Sequence, residues 1–156
     1  AVSLPEEADR IFRKYDSEQL GTVYYGLLFD MIETGFFDVL GHLDIYRRFG
    51  ESYYGQRIHH LWKPHIEELA RKMKQFGVGF EINTSAWRKG QKEAMPTRPI
   101  IEALLERGVT TVTVGSDAHA PEDIGFGVSR AYSLLRACGK ETVSAFSNRR
   151  ESIIPI

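Results

Sequence analysis

With 156 residues, 42% of them hydrophobic, the chain can bury one sizeable core but falls short of two, so residues 1–156 are expected to form a single domain. Twenty Lys and Arg stand against 21 Asp and Glu, a formal net charge of −1 that provides no broad basic field for drawing in nucleic acid and favours a small soluble ligand. One cysteine, Cys138, rules out an internal disulfide and a thiolate-pair metal site, so any metal must be held by nitrogen and oxygen ligands.

The start of the chain carries no signal-peptide pattern, since Pro5, Glu6, Glu7 and Asp9 interrupt it, and no apolar run reaches membrane-spanning length. A cytoplasmic setting is expected. Over 17–34, Val23, Tyr24, Leu27, Leu28, Met31 and Ile32 recur at helical spacing and predict an amphipathic helix that stops before Gly35. Residues 36–40, Phe-Phe-Asp-Val-Leu, form a short apolar run closed by Gly41 and sized for a buried strand, which delivers the chain to His42.

Residues 45–62 lack a clean period and read as a long loop with some helix. Pro64 then opens a helix whose stripe is Ile66, Leu69, Ala70, Met73 and Phe76, with Gly77 as its stop. Residues 78–82 are the second expected strand, ending at Asn83. After a polar loop, Thr97 is placed to cap a helix carrying Ile100, Ile101, Leu104 and Leu105, terminated at Gly108. The β-branched run 109–114 is the third strand and ends at Gly115-Ser116-Asp117. A last helix is expected over 128–138 and a second short one over 140–146. Alternation of strands and helices points to an α/β fold built of βα units around a parallel sheet, which gathers functional groups at the C-terminal ends of its strands.

Those three ends carry Gly41-His42-Leu43-Asp44, Glu81-Ile82-Asn83-Thr84-Ser85 and Gly115-Ser116-Asp117-Ala118-His119. Taken singly, His42 reads as a hydrogen-bonded structural histidine and Asp117 as a turn or capping residue. Together at successive strand ends they read as a metal site, because imidazole and carboxylate suit divalent cations and the Asp-x-His step lets two side chains reach different ions. Such ions generate hydroxide at neutral pH and neutralise phosphoryl oxygens, the chemistry of phosphoester hydrolysis.

The runs 38–44, 80–85 and 115–119 resemble the later motifs of the PHP (polymerase and histidinol phosphatase) family, especially its histidinol-phosphatase branch, over about residues 20–129. The resemblance implies a portion of a distorted, TIM-like (β/α)7 barrel whose N-terminal βα units are missing. It also implies a cluster of up to three divalent ions, Zn, Mn or Fe, and hydrolysis of L-histidinol phosphate to L-histidinol and phosphate in histidine biosynthesis. By the same resemblance His42, Asp117 and His119 are metal-holding catalytic residues, and Arg47 and Arg88, with Asn83, are substrate-binding; Arg48 replaces Arg47 if the register slips by one. The family's H-x-H pair has no counterpart here, and His59, His60 and His65 read as structural or surface groups. Absent upstream units predict an exposed sheet edge and apolar faces that associate with the missing barrel half or a second copy. The rival readings are a PHP-type phosphoesterase or exonuclease acting on nucleic acid, which the balanced charge does not favour, and a non-catalytic partial barrel serving as a binding or assembly module.

Overall fold

The computed structural model of the chain describes Val2 and residues 4–156. Its centre is a three-stranded parallel sheet of β1 (Val39–Leu40), β2 (Gly79–Asn83) and β3 (Val112–Gly115), in that spatial order. Register is set by Leu40 opposite Phe80, Phe80 opposite Val112 and Asn83 opposite Gly115, so the three C-terminal ends lie side by side. This is the mixed α/β arrangement that the alternation of elements predicts.

Two helices precede the sheet. The first, α1 (Pro5–Lys14), was not anticipated from periodicity, yet its ends are well specified: Pro5 stands at its start, Glu6 and Glu7 in the first turn and Arg13 and Lys14 in the last, each complementing the helix dipole. It buries Ala8 and Phe12, and the Phe12 ring meets Tyr54 edge-on at 5.6 Å. The second, α2 (Ser17–Glu33), opens with a capping box in which the Asp16 carboxylate accepts from the Gln19 amide at 2.8 Å and the Gln19 side chain accepts from the Asp16 amide at 3.1 Å. Its core face is Leu20, Tyr25 and Ile32; Val23, Leu27 and Met31, part of the expected stripe, stay exposed on the adjoining face. The Tyr24 hydroxyl donates to the Leu43 carbonyl at 3.1 Å and the Tyr25 hydroxyl lies 3.1 Å from that of Tyr46, which ties α2 to the loop carrying His42. His65 stacks on the Tyr25 ring at 4.8 Å, the structural role expected for it.

Between β1 and β2 the chain forms α3 (Arg47–Tyr54), two 3-10 turns, and α4 (Ile66–Phe76), which ends on Gly77 in the left-handed conformation. Between β2 and β3 come a single turn, α5 (Ser85–Arg88), and α6 (Arg98–Glu106), whose Ile100, Ile101, Ala103 and Leu104 are buried. Beyond β3, α7 (Val128–Ala137) buries Ala131 and Leu135.

Two expectations are corrected. The first strand is two residues long, not five: Phe36 and Phe37 are 75% and 43% exposed, outside the sheet. Residues 140–146 are not a helix but open an antiparallel hairpin of β4 (Thr142–Ser147) and β5 (Arg150–Pro155). Its two-residue turn, Asn148-Arg149, has both residues at positive φ, the twist that a tight hairpin demands. The Arg149 guanidinium grips both oxygens of Asp38 and the Gly35 carbonyl at 2.9–3.2 Å, so the hairpin tip is fastened to the entry of β1.

Gly79 opens β2 where it passes against the segment leading into β3; a Cβ there would lie 2.4 Å from the Thr111 carbonyl oxygen and 2.8 Å from Thr111 Cβ. Backbone cannot yield as a flexible side chain can. Gly79→Ala should therefore destabilise the fold by roughly 1–3 kcal/mol, through overpacking. Urea unfolding measures this as a lowered midpoint with unchanged slope, and an unaltered midpoint would refute the close approach.

Candidate metal and phosphate site

The site grows from the strand tips. His42, two residues past β1, and Asp117, two past β3, both adopt left-handed backbone, with φ of 50° and 51°. Non-glycine residues are held there only when their surroundings over-determine the conformation, and such positions gather at functional sites. For Asp117 the restraint is visible: its carbonyl accepts from Arg88 Nη2 at 2.8 Å and from His119 Nδ1 at 2.9 Å, while Arg88 Nη1 donates to the Ser116 carbonyl at 2.8 Å. A carbonyl can only accept, so His119 carries its proton on Nδ1 in this contact and leaves Nε2 as its unprotonated, ligand-competent nitrogen.

The side chains then converge. His42 Nε2 lies 3.4 Å from Asp117 Oδ2, and His42 Nδ1 lies 3.8 Å from Glu81 Oε2. Asp117 Oδ1 is 3.9 Å from His119 Nδ1, and Lys89 Nζ is 3.8 Å from Asp117 Oδ2. Burial tends to raise the Asp117 carboxyl, but the Ser85 hydroxyl, the His42 imidazole and the Lys89 charge outweigh it and hold the group below the usual carboxylate range. An ionised oxygen pair is thus presented at neutral pH.

These groups open into a cleft of about 1090 Å³. Its lining divides between polar groups, His42, Asp117, His119, Arg48 and Lys89, and apolar ones that include Ile11 from α1 and Val23 and Leu27 from α2. Arg10 and Lys14 of α1 add positive charge to its rim. An anionic head beside a compact, partly apolar body fits such a division.

The expected substrate-binding residues land differently. Arg47 is turned inward: its side chain is 7% exposed, Nε donates to Asp44 Oδ2 at 2.6 Å and Nη2 to the Ala94 carbonyl at 2.7 Å. A guanidinium committed to a buried carboxylate does not face a ligand, so its assignment to phosphate is corrected; its neighbour Arg48 is exposed and lines the cleft. Asn83 is 1% exposed, accepts from the Ser85 amide and hydroxyl at 3.0 and 2.7 Å, and donates to Glu81 Oε2 at 3.1 Å, so it too is a scaffold group. Arg88 spends its donors on the 116–117 carbonyls and its Nε lies 3.3 Å from Asp123 Oδ1, which makes it a clamp on the loop that carries Asp117. Glu81 and Lys89 were not singled out from the sequence. The available signal for Glu81 was a carboxylate inside an otherwise apolar strand; for Lys89 there was none beyond adjacency to Arg88.

The donors at the tips, imidazole and carboxylate, are those that Zn, Mn and Fe accept. Among the described residues no group of three or more His, Cys, Asp or Glu side chains is arranged to hold an ion, so the chain offers pairs of ligands and not a closed set. His42, Asp117 and His119 fit a divalent ion by chemistry and by their shared cleft.

Fold and site together define an α/β protein with a histidine–carboxylate centre at the tips of parallel strands. No protein-family model matches the chain. Among curated proteins, it is 33% identical over 142 residues to a Deinococcus radiodurans protein named probable histidinol-phosphatase, covering 88% of this chain and 50% of that one. It is also 33% identical over 125 residues to a Schizosaccharomyces pombe protein of the same name, covering 78% and 40%. Among solved structures, the histidinol phosphate phosphatase HisK of Lactococcus lactis, complexed with zinc, L-histidinol and phosphate, superposes with a TM-score of 0.72 at 19% identity, over 88% of this chain and 52% of that one. The curated relatives support a PHP-type histidinol-phosphatase family assignment, and the solved structure supports the same fold. The chain spans about half the length of the curated relatives it matches.

Neighbouring arginines give a sharp contrast. Arg47→Ala leaves Asp44 buried without its counter-charge and should lower stability by about 3–5 kcal/mol. Arg48→Ala, at the exposed cleft wall, should change stability by less than about 0.5 kcal/mol. Denaturant titration of both variants checks the pair, and equal effects would contradict the inward and outward placement.

Proposed function

We propose that this chain is a portion of a metal-dependent phosphatase that hydrolyses L-histidinol phosphate to L-histidinol and phosphate, a step of histidine biosynthesis in the cytoplasm. The observation that carries the reading is the convergence of His42 past β1 with Asp117 and His119 past β3, on either side of β2, in a cleft with Arg48 and Lys89. The names of the curated relatives and the ligands of the Lactococcus lactis structure support it. The three-stranded sheet is, on this reading, a single-domain part of a distorted (β/α)7 barrel.

In the proposed mechanism His42, Asp117 and His119 hold divalent ions, Zn, Mn or Fe, up to three in a complete family site. A bound ion of this kind lowers the pKa of water and neutralises phosphoryl oxygen. The chain's own groups do the rest. Arg48 and Lys89 attract and fix the phosphate as charge-assisted donors, the more strongly because the cleft walls exclude part of the solvent. Arg88 keeps Asp117 at its positive φ, so the carboxylate is aimed before substrate arrives. His119, pinned through Nδ1, presents Nε2 without having to reorganise. The apolar wall from α1 and α2 takes the organic part of the substrate.

A second reading is favoured by one observation: among the described residues no group of three or more His, Cys, Asp or Glu side chains is arranged to hold an ion. On that reading it is a non-catalytic partial barrel. The free edge of β1 and the exposed Leu27 and Phe36 then serve association with a second copy or with the rest of a barrel. Nucleic acid as substrate has no comparable support, because the net charge is −1 and cations outside the cleft such as Arg71, Arg98 and Arg107 are paired with carboxylates.

Asp117→Asn, measured on the complete gene product supplied with zinc or manganese, should reduce histidinol phosphate hydrolysis by roughly 100-fold or more, since a carboxylate that would hold the metal is lost, which costs at least as much as losing a group that orients a ligand. Arg48→Ala should raise KM by about 10-fold with a smaller effect on kcat, the pattern of lost ground-state binding. Undiminished turnover by the Asp117 variant refutes the phosphatase assignment. Purified chain without zinc, manganese or iron supports the non-catalytic reading instead.

A further inference from the structure

We propose that Glu81 is a positioning residue for His42, holding the imidazole by a carboxylate on its Nδ1 side so that Nε2 faces Asp117 and the cleft; the inference rests on the phosphatase reading where it concerns a bound metal. Glu81 lies in the middle of β2 between Phe80 and Ile82, both fully buried, and its side chain emerges on the opposite face of the strand. Such a charge needs a built environment.

That environment is supplied by three residues. A Cβ at Gly41, just past β1, would lie 3.2 Å from Glu81 Oε2, and one at Gly115, the end of β3, would lie 2.2 Å from Glu81 Oε1. Neither glycine has a positive φ, so backbone freedom does not explain them; room for this carboxylate does. Asn83 completes the seat. Its Oδ1 accepts from the Ser85 amide, which fixes the orientation of its own amide group and directs Nδ2 to donate to Glu81 Oε2 at 3.1 Å. The same Oε2 is the atom 3.8 Å from His42 Nδ1, while His42 Nε2 is 3.4 Å from Asp117 Oδ2.

The imidazole is therefore bracketed by two carboxylates with distinct duties. A histidine that holds a metal through one nitrogen is oriented by the acceptor on the other, and loss of that acceptor weakens metal affinity about 10- to 100-fold. Its 3.8 Å separation is longer than a direct hydrogen bond, so Glu81 acts by charge and by a short closure of the ring toward it. Two glycines and a pinned asparagine, set around one oxygen pair, tie the tips of all three strands to that single histidine.

The test uses Glu81→Gln in the 156-residue chain. Glutamine has the same shape, fits between the two glycines and still offers an oxygen to Asn83, so a purely packing role predicts no change. Zinc titration by calorimetry should show affinity lowered 10- to 100-fold with the melting temperature retained. His42→Ala and the double variant complete a cycle in which the losses should not add; additive losses mean that Glu81 acts without His42 and overturn the proposal, as does unchanged affinity. Should the Gln variant misfold, imidazole 15N spectra of the unaltered zinc-loaded chain decide, since the proposal requires Nδ1 of His42 to bear the proton and the opposite tautomer sinks it. A chain that binds no zinc at all counts against the phosphatase reading, and the His42 spectrum compared between the metal-free parent and Glu81→Gln still tests the pairing: an identical His42 signature overturns it.

Discussion

A buried carboxylate holds the site's framework together. Asp44 is fully buried at the corner between β1 and α3, and its Oδ2 accepts from Arg47 Nε at 2.6 Å and from the Thr97 amide at 3.0 Å. Arg47 in turn donates to the Ala94 carbonyl. Two stretches distant in sequence, the His42 loop and residues 94–97 leading into α6, thus share one charged contact. Burial pushes the Asp44 carboxyl up, and the Arg47 charge and the Thr97 amide pull against that, which leaves a group that tolerates no loss of partners. Thr97 opens α6 without a side-chain cap, and its own amide donates to Asp44; at N2 stands Pro99, which has no amide hydrogen for a cap to receive.

From that corner the chain sorts its cations. Arg47 and Arg48 are adjacent, and so are Arg88 and Lys89, yet in each pair the first is drawn to protein acceptors and the second reaches the cleft. Arginine suits the inward position because its planar fork can satisfy a carboxylate and a carbonyl, or two carbonyls, at once. A flexible lysine or an exposed arginine is left for an anion. Phosphate binding and loop clamping are therefore divided between neighbours one residue apart, a distinction that side-chain direction decides and residue type does not.

That division marks the limit of what the sequence reveals. The parallel sheet, the helices over 17–33, 66–76, 98–106 and 128–137, and the three strand tips were legible because apolar periodicity and terminal glycines are local signals. The cleft shared by His42, Asp117 and His119 followed from the rule that parallel strands present their groups at one end. Arg47 was misjudged because the backbone groups of Ala94 and Thr97 that seal its pair with Asp44 lie 47 and 53 residues from the residues they contact and leave no local trace. The hairpin over 142–155 was missed because Asn148-Arg149 lacks the glycine that usually announces so tight a turn; its left-handed Arg149 is held by Asp38, a contact no spacing rule foresees. Helix α1 was passed over because only Ala8 and Phe12 reach the core, too few for a visible stripe.

The anchoring contacts also separate order from chemistry. Asp38 is held by Arg149 below β1, Asp44 by Arg47 just past it, and Asp117 by Arg88 beyond β3, so each strand end or entry that matters is fixed by a guanidinium contact inside this chain. Unlike hydrophobic packing, such contacts fix direction as well as proximity, and the positive-φ residues at 42 and 117 need direction above all. With the Tyr24 and Tyr25 hydroxyls of α2, these contacts order the tips. A complete ligand set is a different requirement, one of number, and among the described residues no group of three or more His, Cys, Asp or Glu side chains is arranged to hold an ion. Because the fold already holds His42 and Asp117 in direction, a ligand that meets them does not have to bear the cost of ordering them.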